Sequence, residues 1–222
     1  MFKLKKFNNL NSQYSKHLYK GLKGFFMKMS HNNLENFESK KKISKVLEIG
    51  AGSMPHYNFI EHNYEEYHIL EVSKVSKKYI KKEKNIFFKL YNGSKIPYEN
   101  NTFDRIIICH CLEHIVFPEI FIDEMMSKLK KKGILSISLP CDPGLAWRIS
   151  SFLLGKRISS KTYKINSKTI NYLNAIEHVN SVFNLISIIK YKFNHSIKES
   201  YLPFYVKNAD LNLFYNVHIY KK

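Results

Sequence analysis

Residues 109–114, Cys109-His110-Cys111-Leu112-Glu113-His114, place two thiols, two imidazoles and one carboxyl within six positions. Groups of these types can ligate a metal, carry a proton or attack as a nucleophile. The His-x-x-Glu-His spacing would let a helix present His110 and His114 on one face, four residues apart, as a zinc site requires. The preceding run argues otherwise. Arg105 to Cys109 is rich in isoleucine and reads as a strand, so His110 falls at a strand end, ahead of any helix. No downstream glutamate in a recognisable motif offers a third ligand, and no metal site is assigned. His110 is read instead as the catalytic candidate, since an imidazole with a pKa near ~6.5 can take a proton from a hydroxyl or an amine. Glu113 and His114 read as an acid at a helix start and a packed histidine.

A second set of residues points to a nucleotide. The apolar run Ile43 to Ile49, interrupted by Ser44, Lys45 and Glu48, reads as a buried strand that runs straight into Gly50-Ala51-Gly52. Glycines there tolerate positive φ and let a ligand approach the backbone closely. Strand, tight turn and helix in this order make a nucleotide-binding unit with its ligand at the strand's carboxyl end. A dinucleotide site would want a third glycine where this chain has Pro55, so the NAD reading loses support. About 20 residues beyond the loop, the short strand Tyr67 to Ser73 carries Glu71, at the place where such folds put the carboxylate that accepts hydrogen bonds from ribose hydroxyls.

Glu48-x-Gly50-x-Gly52 resembles motif I of the class I S-adenosylmethionine-dependent methyltransferases. Two later stretches extend the resemblance. One runs from Asn92 through Ile96-Pro97-Tyr98 to Phe103-Asp104; the other runs from Lys132-Gly133 into the strand Ile134 to Leu139. The resemblance implies an α/β fold: a doubly wound, seven-stranded, mostly parallel sheet closed by a C-terminal antiparallel hairpin. It also implies S-adenosylmethionine as cofactor. Glu48, Gly50, Ala51 and Gly52 would hold its methionine part, Glu71 and Val72 its ribose, Asn92 and Gly93 its adenine, with Cys109 beside it. Asn92 replaces the acid usual at the adenine position. The run ending Leu112-Glu113-His114 is similar to the loop after strand four in these enzymes. In the ubiquinone-pathway O-methyltransferases a similar run binds a divalent metal through acids, but here the first of those positions is His110.

The remaining elements must hold these residues in place. Residues 10–29 carry a helical stripe of Leu10, Tyr14, Leu18, Leu22, Phe25, Phe26 and Met29, which suits a helix packed on the domain, a lid, or a basic helix on a membrane surface. Residues 31–42 are polar and read as a linker, so residues 1–42 form an N-terminal helical extension before a methyltransferase domain over 43–222. A helix beginning at Pro118 is closed by Lys130 to Lys132 and Gly133. Residues 141–178 hold the only tryptophan and read as an acceptor-side insertion. A stripe of Val182, Leu185, Ile186 and Ile189 predicts a further helix, and strands are expected at 196–205 and 211–220.

The formal charge of +18 comes almost wholly from lysine, with Arg105, Arg148 and Arg157 as the only arginines. A surface that reads phosphates or bases would use more guanidinium forks, so a nucleic-acid partner is not favoured. Three cysteines without disulfide-like spacing fit a reducing compartment. No secretory signal or run of ~20 apolar residues is present, and a cytoplasmic location is expected. The expected activity is methyl transfer to an O or N atom of a small-molecule acceptor, such as a cell-surface sugar or lipid precursor. The alternatives are an RNA methyltransferase and a catalytically silent cofactor-binding subunit.

Overall fold

The computed structural model describes residues 19, 21–39, 42–53, 55–162, 172 and 175–222. The N-terminal half of the expected stripe, Leu10 to Leu18, lies outside them. Seven strands form one sheet: β1 (Lys45–Ile49), β2 (Glu66–Glu71), β3 (Ile86–Leu90), β4 (Phe103–Cys109), β5 (Leu129–Pro140), β6 (Ile197–Leu202) and β7 (Phe214–Tyr220). Their order is β3-β2-β1-β4-β5-β7-β6, parallel through β5, with β7 inserted antiparallel between β5 and β6. The central strands are apolar on both faces because both are covered: β4 is buried at every position and β1 at all but its first.

Register brings the chemistry to one edge. Ile49 lies opposite Leu70 on one side and Ile108 on the other, so Gly50, Glu71 and Cys109-His110 all follow their strands at the same level. β1 has β2 and β4 as neighbours, so the chain winds one way from β1 and then the other. In open sheets of this kind ligands bind in the crevice at the strands' carboxyl ends, where the winding reverses.

Helices α1 (Gly21–Asn33), α2 (Pro118–Lys128), α3 (Leu145–Thr162) and α4 (Val182–Phe193) are among those that flank the sheet in the described residues. α4 buries Val182, Leu185 and Ile189 as its periodicity predicts. Three expectations need correction. The helix expected after the glycine loop is only a 3₁₀ turn over His56–Asn58, and a second 3₁₀ turn over Lys74–Tyr79 follows β2. His56 and Tyr57 are drawn into the interior there, so the turn is held by burial.

α2 stops at Lys128, and the lysines assigned to its end belong to β5. Leu129 is fully buried opposite Phe103, and Lys130 bonds both oxygens of Asp104 at 3.0 and 2.9 Å. The same carboxylate accepts the Ser44 and Lys45 amides, so it ties the start of β1 to β4 and β5.

The N-terminal segment is also different from a helix plus polar linker. α1 continues to Asn33 and buries Gly24, Met27, Ser30 and His31, leaving Leu22 and Phe25 exposed. Ser30 and Asn216 bond to each other twice, and Ser30 also meets Ser138, which docks α1 on β5 and β7. Leu34 and Glu35, in the supposed linker, are buried. Glu35 meets fully buried Arg105 at 2.7 Å, and Arg105 also bonds the Leu34 carbonyl and Ser136. A guanidinium inside a sheet needs partners of this kind, because an unpaired buried charge is very costly.

Candidate active site

The glycine turn is shaped by its two positive-φ residues, Gly50 at 72° and Gly52 at 59°. The Gly50 amide donates to the Leu70 carbonyl at 2.9 Å, and a Cβ on Gly50 would collide with the Cys111 side chain. Gly52 differs: a Cβ there would meet nothing within 4 Å. That open space is part of a cavity of about 1140 Å³ that runs along the carboxyl edge of the sheet. Gly50, Gly52, Glu71, Val72 and Gly93 line one end, together with Ser53, Tyr91 and Ser94. Glu71 is buried at the end of β2. One of its oxygens accepts the Gly52 amide, and the other accepts Val72 N–H at 3.1 Å and Ser73 N–H at 3.4 Å. The acid therefore shapes the loop and faces the cavity at once.

Four expected cofactor contacts are not in the cavity wall. Glu48 points the other way. Its carboxyl accepts the His56 amide at 2.7 Å and the Tyr67 hydroxyl at 3.0 Å, and burial pushes its pKa up to about 8. It holds the far end of the glycine loop. Ala51 packs with Leu34, Val46 and Tyr57 behind the loop. The Asn92 oxygen is turned onto Ser94, accepting its amide at 3.1 Å and its hydroxyl at 2.6 Å. Cys109 is inside, with its sulfur 3.8 Å from His56 Nδ1. Strand alternation sends Cys109 behind the sheet edge and leaves the next residue to face the cavity.

That next residue is His110. It has a left-handed φ of 50°, its amide donates to the Ser138 carbonyl, and its ring rests edge-on against Phe214. Its Nε2 is buried with no hydrogen-bond partner among the described residues, although the residue lines the cavity. Burial, reinforced by His31, pushes its pKa down to about 3. The imidazole is neutral at ordinary pH. Burial also pushes the Cys109 and Cys111 thiols well up, so neither supplies a thiolate nucleophile.

Beyond His110 the cavity widens. Phe26 and Met27 of α1, Trp147 of α3, and Leu213 and Phe214 form an apolar wall, with Lys23 at its margin. Glu113, His114, Asp142 and His178 form a polar patch on the other side. His110 and His114 do not share a helix face, since residues Leu112–His114 are a 3₁₀ turn. A lid was among the readings of the stripe over residues 10–29, and Phe26 of that stripe does reach the cavity wall, while Lys23 and Met27, which also line it, lie off the stripe. His178 closes the stretch read as the acceptor-side insertion, but nothing in that aperiodic sequence singled it out.

Residues 47–137 match the model of a methyltransferase domain. That stretch is under half of the chain, and it is similar to a methyltransferase domain, as the motif resemblance led one to expect. An uncharacterized protein of Methanocaldococcus jannaschii is 28% identical over 156 residues, which are 68% of this chain and 66% of that protein. A methyltransferase of Thermotoga maritima superposes with a TM-score of 0.64 at 16% identity, covering 97% of this chain and 98% of that one. The N-methyltransferase NodS of Bradyrhizobium japonicum, solved with S-adenosylhomocysteine, gives 0.58 at 15% identity over 88% and 87%. At these identities the superpositions speak to the fold, and the fold is the one expected. The open approach at Gly52 and the Glu71 carboxylate beside it fit a ribose-bearing ligand at that end. Among the described residues no helix is long and apolar enough to cross a membrane.

Proposed function

We propose that this chain transfers the methyl group of S-adenosylmethionine to an oxygen or nitrogen of a small molecule held in the wide half of the cavity. One observation carries the reading: a single cavity joins the glycine loop and Glu71 to the unpartnered Nε2 of His110 and the apolar wall beyond. The cofactor supplies an activated methyl on a sulfonium, so the hard chemistry comes with it. The protein's share is to align the acceptor and keep water out. In this reading Gly52 leaves room for the cofactor, Glu71 accepts its ribose hydroxyls, and Gly93 and Val72 border its base.

His110 orients the acceptor. A neutral imidazole whose Nε2 is free can accept a hydrogen bond from a hydroxyl or amine and turn a lone pair toward the methyl group. A pKa of about 3 makes it a poor proton acceptor, so the orienting role is favoured over general base. Residues 141–178 act as the acceptor-side insertion, supported by Asp142, Trp147 and His178 in the wall. The apolar wall suits an acceptor with an apolar body, which favours a lipid precursor over a bare sugar. Three free cysteines, two of them buried, suit the reducing cytoplasm.

The test has two arms. Calorimetry should show S-adenosylmethionine and S-adenosylhomocysteine binding more tightly than NAD. Radiolabelled methyl from the cofactor should then be followed into small-molecule, lipid and RNA fractions of a cell extract. Label in RNA alone would replace the small-molecule reading, and no label despite tight cofactor binding would favour a silent subunit.

A further inference from the structure

We propose that Glu113, His114 and His178 form a binding site for a divalent transition-metal cation at the acceptor end of the cavity. Their ligand-type atoms all lie within 4.8 Å of one another. Three independent details aim them at a common point. The Nδ1 of His114 lies 2.8 Å from the Glu177 carbonyl, and the Nδ1 of His178 lies 2.7 Å from an Asp142 oxygen. A carbonyl or an ionised carboxylate only accepts, so each Nδ1 carries the proton and each Nε2 is left with its lone pair. That is how metal-binding imidazoles are held: an outer acceptor fixes the tautomer and the ring.

Glu113 supplies the third detail. It is buried, lines the cavity, and its Oε2 has no hydrogen-bond partner among the described residues. Its Oε1 lies 3.9 Å from His114 Nε2. A buried carboxyl oxygen left unpaired is costly, and a cation would satisfy it. The segment bearing His178 is tied to the turn bearing Glu113. Asn180 donates its amide to the Glu113 carbonyl at 3.1 Å and its side chain to the Ile115 carbonyl at 2.6 Å. The ligands are thus gathered before any ion arrives.

The donor set decides the class of ion. Two imidazoles with one carboxylate suit Zn²⁺, Fe²⁺, Co²⁺ or Ni²⁺, whereas Mg²⁺ and Ca²⁺ prefer all-oxygen sites. Three protein ligands leave a position open for an oxygen of the acceptor. A second cluster, His31, His56 and Cys109, is buried throughout and has its ring nitrogens engaged: His31 and His56 meet at 2.9 Å, and their outer nitrogens meet Tyr19 and Glu35. Binding of the ion stands apart from the methyl-transfer reading; only its role in holding an acceptor oxygen rests on that reading.

The test uses the full chain after chelator treatment, titrated with Zn²⁺ by calorimetry and with Co²⁺ by visible absorption. One saturable site is expected, with Co²⁺ ligand-field bands and no displacement by excess Mg²⁺. Glu113→Gln and His178→Ala should each weaken Zn²⁺ binding at least about 10-fold, while S-adenosylhomocysteine binds as before. If His178→Ala does not fold, Asp142→Asn serves, with an expected loss of about 10–100-fold through the outer acceptor. Absence of saturable binding would overturn the proposal. So would a site that survives these substitutions, or one showing the thiolate charge-transfer band of a cysteine ligand. Zinc binding without cofactor binding would leave this site standing and remove the methyl-transfer reading.

Discussion

An imidazole held neutral down to about pH 3 loses little of its hydrogen-bonding capacity across the physiological range, and this fixes what His110 can be asked to do. If it orients the acceptor, His110→Ala should lower turnover by roughly 3–10-fold, the worth of one neutral hydrogen bond of ~0.5–1.5 kcal/mol. Cofactor affinity should be unchanged, and no acid limb should be traceable to this residue between about pH 5 and 8. A general base would instead cost roughly 10²–10⁴-fold. Rates of wild type and variant across that range separate the two. Glu71 is the complementary residue on the cofactor side. Glu71→Ala should weaken S-adenosylmethionine binding by about 1.5–3 kcal/mol, the range for hydrogen bonds to a charged group. An unchanged dissociation constant would reduce Glu71 to a brace for the Gly52 amide.

The glycine loop is one element with two different demands on its glycines. Gly50 is needed for packing, since any Cβ there meets the Cys111 side chain, whereas Gly52 faces open cavity. Gly50→Ala should therefore lower the melting temperature sharply. Gly52→Val should retain the fold, at a cost of about 1–2 kcal/mol for its left-handed φ, and abolish cofactor binding. Melting curves and calorimetry on the two variants check the distinction. The strand-loop placement of Gly50, Gly52, Glu71 and His110 was legible from sequence because strands announce themselves by apolar runs and end where glycine or polar residues begin. The turn of Glu48 away from the cavity was not legible, because the motif gives its position along the strand and says nothing of Tyr67 and the His56 amide, which bond its carboxyl from behind. The N-terminal segment was misread for a related reason. Glu35 is a polar residue in a polar stretch, and only the fold reveals Arg105 waiting for it 70 residues later. Replacing Arg105 by Met should leave that buried carboxylate with only His56 and the Glu61 amide as partners and without a countercharge, at a cost of roughly 3–5 kcal/mol, a loss read directly from denaturant unfolding.

Over the whole molecule, burial has placed a set of imidazoles where they cannot be charged. His31 and His56 are pushed well below the usual range, and His110 and His218 down to about 3, in each case chiefly by desolvation. Unfolding frees them to bind protons below ~6.5, so between that value and about 3 the unfolded chain holds more protons than the folded one. Stability must then fall as pH drops through 6.5. Glu48 acts in the opposite sense. With its pKa pushed up to about 8, the folded chain keeps a proton that the unfolded chain has released from ~4.5 upward, so its contribution is lost as pH rises toward 8. Glu113, raised by burial, and His178, raised by Asp142 against its own desolvation, pull in the same direction as Glu48. The histidines outnumber these groups, so the acid side should dominate. The melting temperature is expected to peak near neutrality, fall steeply below pH 6 and fall gently toward pH 8.5. Glu48→Gln keeps an acceptor for the His56 amide and removes the titration, so it should flatten the alkaline limb and leave the acid one intact. Thermal melts of both proteins from about pH 4.5 to 8.5 would show this. A melting temperature that rises on acidification would mean that the buried imidazoles accept protons in place, and the uncharged core described here would be wrong.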